Sequence, residues 1–112
     1  MSSYHVCGLY LAICRGSIFV FGNEVLLTKS ELLIMEQLMK RPGTIFSREQ
    51  LMSQLKQANA TQVIDIRTID THVTRIKKKL FPNNVEARKL FIVSVHDVGY
   101  RVSTRTQLQK II

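Results

Sequence analysis

Apolar residues recur every three or four positions between residues 65 and 80, and this spacing predicts an amphipathic α-helix of about 66–81. Its apolar side consists of Ile66, Ile69, Val73, Ile76 and Leu80. A rotation of about 100° per residue places cations and small hydroxyl side chains opposite them. We call this opposite surface the polar side; it consists of Arg67, Thr68, Thr71, Thr74, Arg75 and Lys78. Such a helix can attach to a core and present cations outward.

Short apolar segments dominate the first quarter of the chain and alternate with turn-forming residues such as Gly8, Gly16 and Gly22. Their aromatic and β-branched residues predict strands at Tyr4–Cys7, Leu9–Cys14, Ser17–Phe21 and Glu24–Leu27. We therefore expect an antiparallel meander of three or four strands, one face of which has to be covered by other elements.

Two further helices are predicted by capping boxes, in which a hydroxyl and a carboxylate or amide satisfy free backbone donors. The first box pairs Thr28 with Glu31, and this helix ends at Pro42-Gly43. The second box pairs Ser47 with Gln50. The apolar sides of the two helices are Leu32, Leu33, Met35, Leu38 and Met39, and then Leu51, Met52 and Leu55.

Two strands, Phe91–Val95 and Tyr100–Val102, are predicted at the C-terminal end, joined by the turn His96–Gly99. Three helices followed by a hairpin, or wing, is the order of a winged helix-turn-helix. The predicted fold class is thus α+β, a winged helix-turn-helix with an N-terminal antiparallel sheet, a three-helix core and a C-terminal wing. The expected domain is 1–103, made of sheet 1–28, helices 29–81 and hairpin 91–102, before a tail at 104–112.

The charge balance points to a polyanionic partner. The 112 residues include 16 Lys and Arg against 8 Asp and Glu, which gives a net charge of +8. An excess of this size in one small domain favours nucleic acid. A membrane surface is the competing interpretation, but no apolar stretch approaches the length of a membrane-spanning helix. Without an export leader, a cytoplasmic location is expected.

The residues that carry reactive chemistry form no recognisable catalytic pattern. Cys7 and Cys14 lie in apolar, strand-like surroundings, so we expect reduced structural thiols. A metal site that they form with His5 is the alternative, but it lacks the ligand spacing of zinc sites. The chain has no nucleophile–base, paired-carboxylate or glycine-rich phosphate motif. We expect no enzyme activity, no metal and no cofactor.

From Leu27 to Val102 the sequence resembles the C-terminal DNA-binding effector domain of OmpR/PhoB-type response regulators. The shared segments occur in the family's order. They are Leu27-Thr28 with Glu31, Pro42-Gly43, Phe46–Leu51, Arg67–Val73 with Arg75-Ile76, Lys79-Leu80, and Val98–Val102. The resemblance implies sequence-specific binding of double-stranded DNA and transcriptional control, with the basic helix in the major groove.

The resemblance also implies roles for individual residues. Arg75 and Thr71 are the candidates for base edges, because the planar guanidinium fits guanine. Arg67, Thr68 and Lys78 are candidates for phosphates. The remaining candidate contacts are His72, Thr74, Ser94, His96 and Lys56. The family implies direct-repeat promoter sites, a monomer that dimerises on DNA, and contact of the 57–64 loop with RNA polymerase.

Two positions depart from the family pattern. His96 and Asp97 stand where the wing commonly has Arg-Gly, and Lys56-Gln57 stand where the second helix commonly ends in Trp-Gly. One alternative is therefore a winged-helix protein-interaction module with weakened DNA binding. Another is the DNA-binding domain of a ToxR/CadC-like regulator, although the match at Thr68–Val73 favours the response-regulator branch. An ordinary solvated basic surface is the plainest alternative for the helix alone.

Overall fold

An antiparallel sheet of four strands forms the N-terminal end of the fold, as the sequence predicted. The strands are β1 (Ser3–Val6), β2 (Leu9–Ala12), β3 (Ser17–Val20) and β4 (Asn23–Leu26), paired in chain order. The computed structural model describes residues 3–6, 9–12, 16–20, 22–58 and 65–103. The expectations for Cys7, for Cys14, for most of the 57–64 loop and for the tail 104–112 lie outside these residues.

Three helices follow at the predicted places: α1 (Lys29–Lys40), α2 (Arg48–Gln57) and α3 (Arg67–Leu80). Both capping boxes are confirmed. Thr28 donates its backbone N–H to Glu31 Oε1 at 2.9 Å, and its hydroxyl accepts the Glu31 N–H at 3.2 Å. Because each box involves residues only three apart, local sequence determines where α1 and α2 begin.

A fourth helix, α4 (Val85–Phe91), is an element that the sequence prediction of three helices did not include. The Asn84 side chain caps it by accepting the Ala87 N–H at 3.0 Å. Arg88 donates to the Phe81 and Pro82 carbonyls, both at 2.6 Å, and so supports the end of α3. Phe91 closes α4, so its assignment to the first wing strand was wrong.

The four apolar residues within α3 are buried, which confirms the predicted phase of this helix. Ile69, Val73, Ile76 and Leu80 are each at most 3% exposed, while Ile66 lies just before the helix and is half-buried. The four buried residues share one core with α1, α2, β3, α4 and the wing. Its other members include Ile18, Ile34, Met35, Leu38, Leu51, Leu55, Phe91, Ile92 and Val102.

The wing consists of β5 (Ile92–Val95) and β6 (Gly99–Val102), joined by a turn at 96–98. The link between α1 and α2 pairs with β6. Phe46 and Tyr100 exchange backbone hydrogen bonds at 2.8 and 2.9 Å, and Gly43 donates to the Val102 carbonyl at 2.7 Å. The wing is thereby attached to the helical core through backbone as well as side chains.

On the other side of the core, the buried Glu31 joins α1 to α3. Its side chain is 1% exposed and accepts a hydrogen bond from Lys79 Nζ at 2.5 Å. Burial alone would raise the pKa of Glu31, but hydrogen bonds from Lys79 and Thr28 outweigh it and hold this pKa below its ordinary value. Ionised Glu31 therefore stabilises the contact between the two helices.

The close approach of Phe46 to β6 leaves no room for a side chain at position 99. Gly99 has a φ of +157°, and a Cβ there would collide with the Phe46 carbonyl and the Ser47 backbone. We expect Gly99→Ala to lower the free energy of unfolding by at least about 2 kcal/mol in urea titrations. Gly22→Ala is the matched control: φ is +87° but the site is open, so strain of about 1 kcal/mol is expected. Equal losses would contradict the steric argument.

The Glu31–Lys79 contact predicts an acid-dependent loss of stability. Because the folded-state pKa of Glu31 is lowered, its contribution is fully present above the ordinary value of 4.5 and is lost as pH falls through the folded pKa. Glu31→Gln should be less stable than the parent at pH 7, and the difference should shrink below pH 4.5. Glu36→Gln, which removes the α1 pair with Lys40, should cost only about 0.5 kcal/mol. A pH-independent difference for Glu31→Gln would contradict the prediction.

Candidate nucleic-acid interface

The polar side of α3 faces outward, opposite the buried apolar side. Five of its residues are exposed and Thr68 is half-buried; the exposed five are Arg67, Thr71, Thr74, Arg75 and Lys78. This surface combines guanidinium and ammonium groups with short hydroxyls on a helix of 14 residues. A helix of this width and charge can enter the major groove of DNA, where side chains reach both phosphates and base edges.

The cations of the polar side differ in their partners. Arg67 forms an exposed ion pair with Asp65, with Nη2 at 2.8 Å from Oδ2. Arg75 and Lys78 make no ion pair with any residue in the described part of the chain. These two side chains can therefore bind an external anion without first breaking an ion pair. Arg67, by contrast, can bind one only by sharing its guanidinium with Asp65 or by releasing that carboxylate.

The two threonines of the polar side also differ. Thr74 donates its hydroxyl to the backbone carbonyl of Asp70 at 2.9 Å, which leaves its oxygen as an acceptor. No such contact engages Thr71 within the residues that the structure describes. Thr71 can thus serve as donor or acceptor, one turn before Arg75 on the same surface.

Asp70 borders the polar side next to the wing. Its carboxylate accepts hydrogen bonds from Arg48 Nε at 2.7 Å and from the Tyr100 hydroxyl. Burial alone would raise the pKa of Asp70, but the hydrogen bonds from Tyr100 and Arg48 keep it lowered. Burial, together with Asp70, raises the pKa of Tyr100 to about 12. Asp70 thus orients the Arg48 guanidinium and joins α3 to both α2 and the wing.

His72 lies at the opposite border, towards Glu31, and is half-buried. Its Nδ1 is buried and has no hydrogen-bond partner among the described residues. Burial lowers the pKa of His72; the charge of Glu31 opposes this shift and that of Arg75 adds to it. The neutral imidazole is therefore favoured, and only part of the ring is available to an external ligand.

The candidates outside α3 are all exposed. Lys56 lies in the last turn of α2, and Ser94 lies on β5. At the wing tip His96 Nε2 is 3.0 Å from Asp97 Oδ2, with the two side chains 95% and 85% exposed. Asp97 has a φ of +58°, a conformation that Asp tolerates in tight turns. The structure thus brings an imidazole–carboxylate pair to the tip.

Sequence reasoning missed the placement of Arg48 and Lys77. Arg48 is the first residue of α2, yet its guanidinium reaches the border of α3. Lys77 is half-buried, and desolvation lowers its pKa. The helical spacing of Lys77 from Val73 could have indicated its partial burial, whereas nothing local indicated the position of Arg48.

Within the described ranges, no group of three or more His, Cys, Asp or Glu side chains could hold a metal ion. None of the helices in these ranges is both long and apolar enough to span a membrane.

Residues 22–102 match the protein family described as "Transcriptional regulatory protein, C terminal". The transcriptional regulatory protein ResD of Bacillus subtilis is 40% identical over 80 residues, and BaeR of Escherichia coli O6:H1 is 38% identical over 80. Each alignment covers 71% of this chain and 32% of the relative. The chain thus spans about a third of these curated relatives.

Solved structures share the fold. The DNA-binding domain of the response regulator AdeR, solved in complex with an intercistronic region, has a TM-score of 0.71 at 23% identity, covering 87% of this chain and 95% of that one. The DNA-binding domain of E. coli CadC has a TM-score of 0.78 at 14% identity, covering 93% and 94%. The CadC likeness is one of fold, so it does not favour the ToxR/CadC-like alternative. The chain belongs to the family of C-terminal domains of transcriptional regulatory proteins and has the winged-helix fold of the OmpR/PhoB-type effector domains.

Proposed function

We propose that this chain binds double-stranded DNA in a sequence-specific manner and acts as the effector domain of a transcriptional regulator. The observation that carries the proposal is the two-sided character of α3. Its apolar residues are buried, and its outward surface carries cations and hydroxyls; two of the cations have no ion-pair partner among the described residues. The family is one of transcriptional regulators rather than of enzymes, and the AdeR domain of the same fold was solved with DNA.

The contacts divide by chemistry. Arg75 reads a base, since a planar fork can donate two hydrogen bonds to guanine, and Thr71 contacts a neighbouring base edge. Lys78 neutralises a phosphate. Arg67 and Thr68 bind the DNA backbone near the start of α3. Thr74 adds a contact from the polar side and His72 one from its border. The contacts outside α3 come from Lys56, Ser94 and His96.

Assembly on DNA and contact with RNA polymerase are interactions of a whole regulator, and this chain corresponds to about a third of the length of its curated relatives. We propose that the domain is a monomer alone and that two copies assemble on direct-repeat promoter sites. The 57–64 loop contacts RNA polymerase. These interactions take place in the cytoplasm, where the chromosomal DNA of bacteria is accessible.

The experiment that tests the proposal measures the affinity for labelled duplexes by fluorescence anisotropy over a range of salt concentrations. Sites selected from a random duplex pool serve as specific DNA. Each phosphate contact should contribute about 0.9 to the magnitude of the log–log salt slope. A slope indistinguishable from zero on every duplex would overturn DNA binding and favour a protein-interaction module.

Two substitutions on α3 separate base reading from phosphate binding. Arg75→Ala should cost about 1–3 kcal/mol on the selected site and flatten the sequence preference. Lys78→Ala, its control on the same surface, should weaken all duplexes alike and reduce the salt slope by about one. The same anisotropy titrations measure both, and exchanged phenotypes would show that the assigned roles are wrong.

The wing tip yields a separate prediction, because His96 pairs with an exposed carboxylate where the family has arginine. His96→Arg supplies a permanent cation, so we expect tighter binding and an increase of about one in the salt slope if the tip lies near a phosphate. Ser94→Ala changes no charge and is expected to leave the slope unaltered. If the parent and His96→Arg have the same affinity and the same salt slope, the wing tip lies away from DNA.

A further inference from the structure

Arg48 is a cation next to α3 that belongs to another helix. Its Nε donates to Asp70 Oδ1 at 2.7 Å, and its Cζ lies 5.4 Å from the centroid of the Tyr100 ring. The carboxylate raises the pKa of Arg48, and the side chain is 29% exposed. The guanidinium is therefore fixed between a carboxylate and an aromatic ring while one part of it still meets solvent.

The contacts among the described residues leave donors of this guanidinium unused. Asp70 accepts one hydrogen bond from Arg48, donated by Nε, and a guanidinium has further N–H donors. Asp70 lies one helical turn before Thr74, whose side chain is exposed on the polar side of α3. The remaining donors of Arg48 are thus held at the border of the proposed DNA surface.

We infer that Arg48 binds a DNA phosphate alongside α3, and that Asp70 and Tyr100 are positioning residues that fix its guanidinium for this contact. The inference rests on the proposed function and adds to it a backbone contact from α2. Two physical reasons support it. A guanidinium that is already ordered loses little conformational entropy when it binds a phosphate. Asp70 is also 41% exposed, so without Arg48 its negative charge would repel the DNA backbone.

A purely structural role is the competing explanation, since Arg48 joins α2 to α3 and the wing. Both roles predict a loss of folding stability when Arg48 is replaced. Only the phosphate contact predicts a change in the number of counterions released on binding, which the salt slope reports.

The experiment compares the parent with Arg48→Gln and Arg48→Lys by anisotropy on a mixed-sequence duplex of about three helical turns. Arg48→Gln should weaken binding about tenfold, and the slope should fall by about one in magnitude. Arg48→Lys should keep most of the slope, because an ammonium still displaces a counterion. Urea unfolding curves verify that each variant is folded. If Arg48→Gln is not folded, Arg48→Met, which keeps an unbranched side chain without the charge, is measured in its place.

An unchanged slope in Arg48→Gln would overturn the inference while leaving the parent's DNA binding intact. A parent that showed no slope would instead overturn the proposed function on which the inference rests. Lys40→Gln removes a cation that pairs with Glu36 on α1, and as the control it should leave the slope unaltered.

The positioning role is tested by non-additivity. Tyr100→Phe changes no charge but removes the hydroxyl that bonds Asp70, so we expect about threefold weaker binding. In the Arg48→Gln background the same substitution should have no further effect on affinity, since it acts through Arg48. An equal loss in both backgrounds would show that Tyr100 supports the wing in general and does not position Arg48.

Discussion

The burial of the apolar side of α3 is the constraint on which the rest of the structure depends. Ile69 and Ile76 are fully buried, and Val73 and Leu80 nearly so. The side chains of a helix point in directions fixed relative to one another. Packing these residues against α1 and α2 therefore also fixes the direction in which Arg75 and Thr71 point. The cationic surface is therefore a consequence of core packing. Any change that rotated α3 would expose apolar side chains and would cost hydrophobic free energy.

The two borders of α3 use one physical device, a carboxylate that accepts hydrogen bonds from a neighbouring element. At one border Glu31 of α1 accepts a hydrogen bond from the ammonium of Lys79. At the other border Asp70 accepts hydrogen bonds from Arg48 and from the Tyr100 hydroxyl. The role of a cation on this helix thus depends on its angle around the axis. Lys79 holds the fold together, while Arg75 and Lys78 extend outward and pair with no described carboxylate.

The part of the fold determined by local sequence was predictable, and the rest was not. Capping boxes and periodicity located α1, α2 and α3, because their signals lie within a few residues. The seven-residue α4 contains only two buried residues, Ala87 and Phe91, so it lacks a periodic signal. The partners of Asp70 are 22 and 30 residues away, and only the folded chain brings them together. The polar side of the candidate site was predictable, but its borders were not.

The wing tip and the outward surface of α3 differ in the charge that they present. His96 and Asp97 are almost wholly exposed, so water screens their pair, which adds little to stability. Asp97 brings a carboxylate to the tip, where it opposes the approach of a polyanion. On the outward surface of α3, Arg75 and Lys78 face no such opposing charge, because Asp65 is paired with Arg67 and Asp70 is paired with Arg48. The attraction for a polyanion at this site therefore comes from α3, and the wing is attached to that helix through the hydrogen bond from the Tyr100 hydroxyl to Asp70.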